Sequence, residues 1–90
     1  MIHAEIYVSG LVQGVGFRFF TVHKARQYRI KGHVKNCSNG NVFCVAEGDN
    51  GLVTDFIKEL RIGPISSRVT DVSVEKSDKI KGYKTFEVTF

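Results

Sequence analysis

Cysteine is scarce. Cys37 and Cys44 are the only two in the 90 residues, too few for a disulfide framework. Their spacing is not Cys-x-x-Cys, so zinc-site and thioredoxin-like readings lack support. The thiols read as free and the compartment as reducing, which leaves the apolar core to hold the fold. Long apolar runs are absent too: none approaches the roughly 18 residues of a membrane span. Met1–Glu5 has neither a basic start nor an apolar signal core, so the chain reads as cytoplasmic with no membrane partner. It contains no repeat, low-complexity stretch or Ser/Gly/Pro-rich linker. A second core would leave each half too short to fold unaided, so residues 1–90 are expected to form a single domain. His3, His23 and His33 have no i, i+4 partner, and nothing clusters them with carboxylates, so no metal is implied.

Acidic residues are missing from one long stretch. Between Glu5 and Glu47 there are none, against Arg18, Lys24, Arg26, Arg29, Lys31 and Lys35; the remainder holds seven basic and nine acidic residues. An uncompensated positive half points to an anionic partner: a phosphate, a nucleic acid or a membrane surface.

What is present is strongly patterned. Residues 2–9 alternate, with Ile2, Ala4, Ile6 and Val8 on one side and His3, Glu5, Tyr7 and Ser9 on the other, the signature of a half-buried strand. Gly10 to Gly16 is a glycine-punctuated loop. A helix is expected from Phe17 to about Arg29, packing through Phe17, Phe20, Ala25 and Tyr28. Ile30–Asn36 and Asn41–Glu47 read as strands joined by a two-residue Asn39-Gly40 type I′ turn, a register that sets Cys37 opposite Val42 and Cys44 opposite Lys35. Leu52, Val53, Phe56, Ile57 and Leu60 keep helical spacing behind an Asp49 or Asn50 cap, and Gly63-Pro64 ends that helix. Val69, Val72 and Val74 mark a further strand with an irregularity between 69 and 72. Lys84 to Phe90 alternates again, with Phe86, Val88 and Phe90 inward. The order predicts an α+β, ferredoxin-like βαββαβ sandwich with a short extra C-terminal strand and two helices on one face of a mixed sheet. That fold hosts many functions.

The loop Gly10-Leu11-Val12-Gln13-Gly14-Val15-Gly16-Phe17-Arg18 carries the chemistry. Glycines let a strand-to-helix turn aim successive N–H groups into one concavity, and the helix adds its own unpaired N–H groups and the positive end of its dipole. Phosphate is the usual occupant of such a site. It is not a Walker loop, since no Gly-Lys-Ser/Thr follows. Nor is it a dinucleotide fingerprint, which would require a small residue at Phe19 and an acid where Asn36 to Asn39 stand. Arg18, in the first helical turn, opposes the helix dipole unless an anion compensates, and its guanidinium matches phosphate geometry.

This segment, followed by Gly32-His33-Val34-Lys35-Asn36, then Gly40 with Val42, then Gly63-Pro64 with Val69, resembles the acylphosphatase family over the whole chain. The resemblance implies a phosphate cradle built from the backbone of Gln13, Gly14, Val15, Gly16, Phe17 and Arg18. It implies that the Arg18 side chain binds the phosphate and that Asn36 positions the attacking water. It further implies hydrolysis of small-molecule acyl phosphates to a carboxylate and inorganic phosphate, by a monomer, with no cofactor or metal. The sequence departs from the family pattern at Asn39-Gly40, where Asp-Gly is common, and at His33, where an aromatic is common. Ser67 replaces alanine and Thr89 an arginine.

The rival class is a nucleic-acid-binding module of the same βαββαβ order, stacking bases on Tyr7 and Phe43. Against it, Asn41–Ala46 lacks the Lys/Arg-Gly-Phe-Gly-Phe pattern of that module, and no nucleic-acid partner is expected. Of the six basic residues, only Arg18 is expected to act on the anion directly. The other five would raise the local potential.

Overall fold

The computed structural model describes residues 1–90. The elements are β1 (Ile2–Leu11), α1 (Phe17–Gln27), β2 (Lys31–Asn36), β3 (Val42–Gly48), α2 (Asn50–Ile62), β4 (Arg68–Ser77) and β5 (Phe86–Val88). The five strands form one mixed sheet in the order β4-β1-β3-β2-β5. All neighbours are antiparallel except β2 and β5, which run parallel. Period-two patterning sends Ala4, Ile6 and Val8 of β1 and Val42, Cys44 and Ala46 of β3 to one face. There they meet Phe17 and Ala25 of α1 and Val53, Phe56, Ile57 and Leu60 of α2 in a core of 17 buried residues. The expected βαββαβ order, the C-terminal strand and the two helices over one sheet face are all present.

Boundaries depart from expectation where tertiary contacts intervene. Helix α1 stops at Gln27, two residues early, in a Schellman motif: Ile30 N–H donates to Ala25 O at 2.7 Å and Arg29 N–H to Arg26 O at 3.3 Å. Arg29 takes the left-handed conformation, φ 59°, where glycine is usual, and the buried Ile30 and Ala25 supply the apolar contact that holds the turn. The buried residues of α1 are Phe17, Thr21 and Ala25; Phe20 and Tyr28 are only partly covered. Helix α2 follows its sequence signals. The Asp49 carboxylate accepts from Gly51 N–H and Leu52 N–H, and Gly63 closes the helix.

The β2–β3 hairpin is a correction. Asn36 pairs with Val42 and Val34 with Cys44, one residue away from the two-residue register. Gly40 N–H donates to Cys37 O at 3.2 Å and Cys37 N–H to Asn41 O at 2.8 Å. Only Gly40 has positive φ in the turn, at 92°, so the connection is a type I turn closed by a glycine bulge rather than type I′. The side chain of Asn39 decides it by accepting from Asn41 N–H at 3.0 Å. Cys37 and Cys44 are free in this register as well. The irregularity in β4 is real: the β1 register jumps from Ser9–Asp71 to Gly10–Val69, leaving Thr70 bulged. Strand β5 is shorter than expected, ending at Val88, and Phe90 is exposed rather than inward.

The second sheet face is not uniformly open. Glu47, 1% exposed, accepts from Lys81 N–H at 2.7 Å, Gly82 N–H at 3.0 Å and Tyr83 N–H at 3.4 Å. His3 Nδ1 lies 2.6 Å away. The segment leading into β5 is thereby strapped across the sheet. Burial alone would raise the Glu47 pKa, but the Lys81 N–H, the His3 ring and the Gly82 and Tyr83 N–H groups outweigh it and hold the carboxyl below its ordinary value. A lowered folded-state pKa stabilises above the unfolded value, about 4.3, and that contribution is lost as pH falls through the folded value. Glu47→Gln is therefore expected to lower the melting temperature at pH 7 by about 5 °C or more, since ~1 kcal/mol moves a domain of this size by that much. The gap should narrow as the pH falls below the unfolded value, about 4.3; a pH-independent gap in thermal melts would refute the carboxylate's role.

Candidate functional site

Strand β1 delivers the chain to the loop at Leu11, and α1 carries it away from Phe17. Gly14 and Gly16 have φ 73° and 78°, and a Cβ at either would meet nothing within 4 Å. Their requirement for glycine is thus conformational, not a matter of crowding. Gly16 is the N-cap of α1 and gives it no side-chain cap, and the first turn contains no acidic residue. The first hydrogen bond of the helix runs from Phe20 N–H to Gly16 O. The amides before it lack a capping side chain at the positive end of the helix dipole, with Arg18 adding a full charge beside them.

These groups border a cavity of about 490 Å³. Of the seven residues expected from sequence, Gly14, Gly16, Phe17, Arg18 and Asn36 line it. Gln13 and Val15 do not. Val15 packs against the core. The Gln13 side chain turns toward the hairpin, its Nε2 donating to Cys37 O at 2.7 Å and to Asn41 O at 2.9 Å. The loop is thereby pinned to both ends of the β2–β3 turn, beside Asn36. From the sequence, Gln13 is expected to contribute its backbone only. Its side-chain clamp depends on the approach of loop and hairpin, which no local pattern encodes.

Asn36 is the last residue of β2, paired with Val42. Its Oδ1 is buried without any hydrogen-bond partner in the protein. The Arg18 guanidinium lies 5.5 Å from the centre of the Phe90 ring, and Phe90, beyond the end of β5, lines the same cavity. Val12, Phe19, Val22, Arg26 and Val88 complete the lining with Phe90; none of them is among the site residues expected from the sequence. For two of them a signal was available. Val22 and Arg26 stand four and eight residues after Arg18, on one stripe of α1.

The remaining reactive groups lie elsewhere. Burial pushes the Cys44 thiol far up, so it is inert packing. His33 stands on the other sheet face between Phe43 and Tyr83, ring centres 6.2 and 5.6 Å away. Its pKa is lowered by burial, then by Lys35 and His3. Its Nδ1 faces Thr89 Oγ1 at 3.5 Å, so two of the positions that depart from the family pattern are neighbours. Tyr7 and Phe43 do share that face, 4.6 Å apart. The structure shows no group of three or more His, Cys, Asp or Glu side chains suited to a metal, and no helix long and apolar enough to cross a membrane.

A glycine-built loop, an uncapped helix start, an arginine and an unpartnered asparagine around one cavity are matched by what the chain resembles as a whole. The Acylphosphatase family model matches residues 4–88. An acylphosphatase of Archaeoglobus fulgidus is 46% identical over 90 residues, covering all of both chains. One of Thermotoga maritima is 43% identical over 86 residues, covering 96% of this chain and 94% of the relative. The crystal structure of acylphosphatase from Bacillus subtilis superposes with a TM-score of 0.98 at 37% identity, covering both chains completely. Sequence, backbone and length therefore agree, and the chain belongs to the acylphosphatase family.

Proposed function

We propose that the chain hydrolyses acyl phosphates in this cavity, with the loop amides and Arg18 holding the phosphate and Asn36 placing the water. The observation that carries the reading is that Asn36, whose buried Oδ1 has no hydrogen-bond partner in the protein, lines the same cavity as Arg18. A buried acceptor without a donor costs free energy. A water donating to it recovers that cost and is thereby fixed opposite the phosphate. The Asn36 amide N–H₂ remains to donate to a phosphate oxygen.

The phosphate's non-bridging oxygens would be met by the N–H groups of Gly14, Gly16, Phe17 and Arg18 and by the guanidinium. These donors are set before substrate arrives and oppose the charge that develops in the transition state. Water oxygen forms the new P–O bond while the bond from phosphorus to the bridging oxygen breaks and its electron pair leaves with the acyl carboxylate. Asparagine cannot take the water's proton at neutral pH, so the proton passes to the substrate's own phosphate. The carboxylate leaves as a stable anion and needs no acid. Products are a carboxylate and inorganic phosphate. Alignment of water and phosphate supplies several kcal/mol of the barrier reduction. Because the charge is met by protein donors, no metal is required. The same reading takes the chain as a monomer, its cavity lined by one chain's own residues. The free thiols Cys37 and Cys44 fit the reducing cytoplasm.

Purified protein with benzoyl phosphate and EDTA is expected to consume the anhydride at the same rate as without chelator. No rate above buffer would remove the activity, and a rate abolished by EDTA and restored by a divalent ion would remove the metal-free mechanism.

A further inference from the structure

Beside the cavity of Arg18 lies a depression of about 480 Å³ at the β5 edge of the sheet. Arg26, Arg29, Lys31, Thr85, Phe86 and Glu87 border it. Three of the five cations expected only to raise the local potential thus gather in one place, against a single acid. None of the three is in an ion pair, with Glu87 or with any other carboxylate. Arg26 Nη2 reaches Phe86 O at 3.5 Å, which holds that guanidinium at the depression. Like charges gathered without a counter-ion repel one another, and a bound anion removes the repulsion.

Arg29 supplies a separate observation. It is the only residue other than glycine with positive φ, 59°, at a helix end where glycine is usual. The left-handed conformation strains an arginine but not a glycine. Its side chain is exposed, so packing does not account for its presence. Nor does the negative end of the α1 dipole exclude an anion here. The carbonyls of Lys24, Ala25 and Arg26 already accept from the N–H groups of Tyr28, Ile30 and Arg29.

We propose that this depression is a second anion site, distinct from the phosphate cavity, for a small oxyanion carrying several negative charges. The guanidinium forks of Arg26 and Arg29 suit phosphate and carboxylate oxygens alike, and Lys31 adds a point charge. Arg26 is the one residue that borders both the depression and the cavity. An anion in the depression therefore offsets positive charge at that end of the cavity and weakens capture of an anionic substrate.

The test titrates tripolyphosphate, and citrate as its carboxylate counterpart, into Arg18→Ala by calorimetry, so that the cavity's own arginine contributes nothing. One ion per chain is expected to bind. The preferred ion separates a phosphate from a carboxylate ligand, and binding of either supports the site. Adding Arg29→Gly should lower the affinity about tenfold, the worth of one charge-assisted hydrogen bond. Adding Lys58→Gln, which removes a cation from the other basic depression, between α2 and β4, should leave it unchanged. Arg29→Gly alone should melt no lower than wild type, since glycine suits the left-handed turn. No binding to Arg18→Ala, undiminished binding with Arg29→Gly, an equal loss with Lys58→Gln, or a lowered melting temperature in Arg29→Gly would each overturn the site. The link to the cavity has its own readout. Tripolyphosphate should raise the KM for benzoyl phosphate in wild type, and less so in Arg29→Gly, while inhibition by inorganic phosphate stays the same in both. Equal tripolyphosphate inhibition in the two would overturn the link. Only this last measurement rests on the hydrolytic reading, and failure of hydrolysis leaves the calorimetric result standing.

Discussion

Arg18→Ala is expected to lower kcat/KM for benzoyl phosphate by about 10³-fold, the loss typical of removing a cation or donor aimed at developing phosphoryl charge. Inorganic phosphate, a competitive inhibitor of wild type on this reading, should lose most of its affinity in the same variant, because Arg18 meets the phosphate in substrate and product alike. Arg18→Lys should recover little. A lysine presents a point charge where the guanidinium presents a planar fork beside the loop amides. Stability should scarcely fall and can rise, since the substitution removes a cation from the first turn of α1, where the dipole disfavours it. Steady-state kinetics with phosphate as inhibitor, paired with thermal melts, read all of this. Unchanged phosphate inhibition in Arg18→Ala would place the anion elsewhere.

Asn36→Ala should divide binding from turnover. Its kcat is expected to drop about 10²-fold, the worth of one preorganised group at the reacting centre, with phosphate inhibition nearly intact. The stability outcome is the sharper discriminator. Asn36 Oδ1 makes no hydrogen bond within the protein, so alanine breaks none there. The melting temperature should therefore hold or rise while activity collapses. A residue kept for packing would show the reverse, losing stability and keeping kcat, and that result would end the water-positioning role.

How far these residues were legible beforehand follows from the range of the interactions involved. Asp49, Gly63 and the period-two strands act within a few residues, and they stand where the pattern put them. Gly14 and Gly16 announced a loop with positive φ at the start of a helix, and Arg18 sits beside it in sequence as in space. The misplaced features depend on contacts that sequence spacing does not encode. Arg29 ends α1 because Ile30 and Ala25 bury the turn, not because its own side chain favours αL. The Asn39 side chain, not the Asn-Gly dipeptide rule, selects the hairpin. Gln13 reaches across to Cys37 and Asn41, and the Glu47 carboxylate binds amides more than thirty residues away along the chain. The role of Asn36 was readable only through resemblance, since a strand-end asparagine is otherwise a turn residue. Phe90 kept its alternation in sequence, but β5 ends at Val88 and no neighbouring strand directs it inward.

The position of β1 has a consequence for how the chain reaches this state. Synthesised before the other four strands of the sheet, it is flanked by β3 and β4, and its pairing with Arg68–Ser77 waits until they have followed. The one hairpin in the sheet, β2–β3, forms locally; every other pairing must close a loop of thirty residues or more, whose entropy is spent before any contact repays it. A nascent chain therefore carries β1 with an edge of unpaired N–H and C=O groups on its β4 side, the form of strand most open to pairing with another chain. The glycine loop before α1 hangs from the end of that same strand. The proposed phosphate cradle is accordingly one of the last parts to become rigid, and folding speed, not only folded stability, decides how much of the newly made protein becomes active.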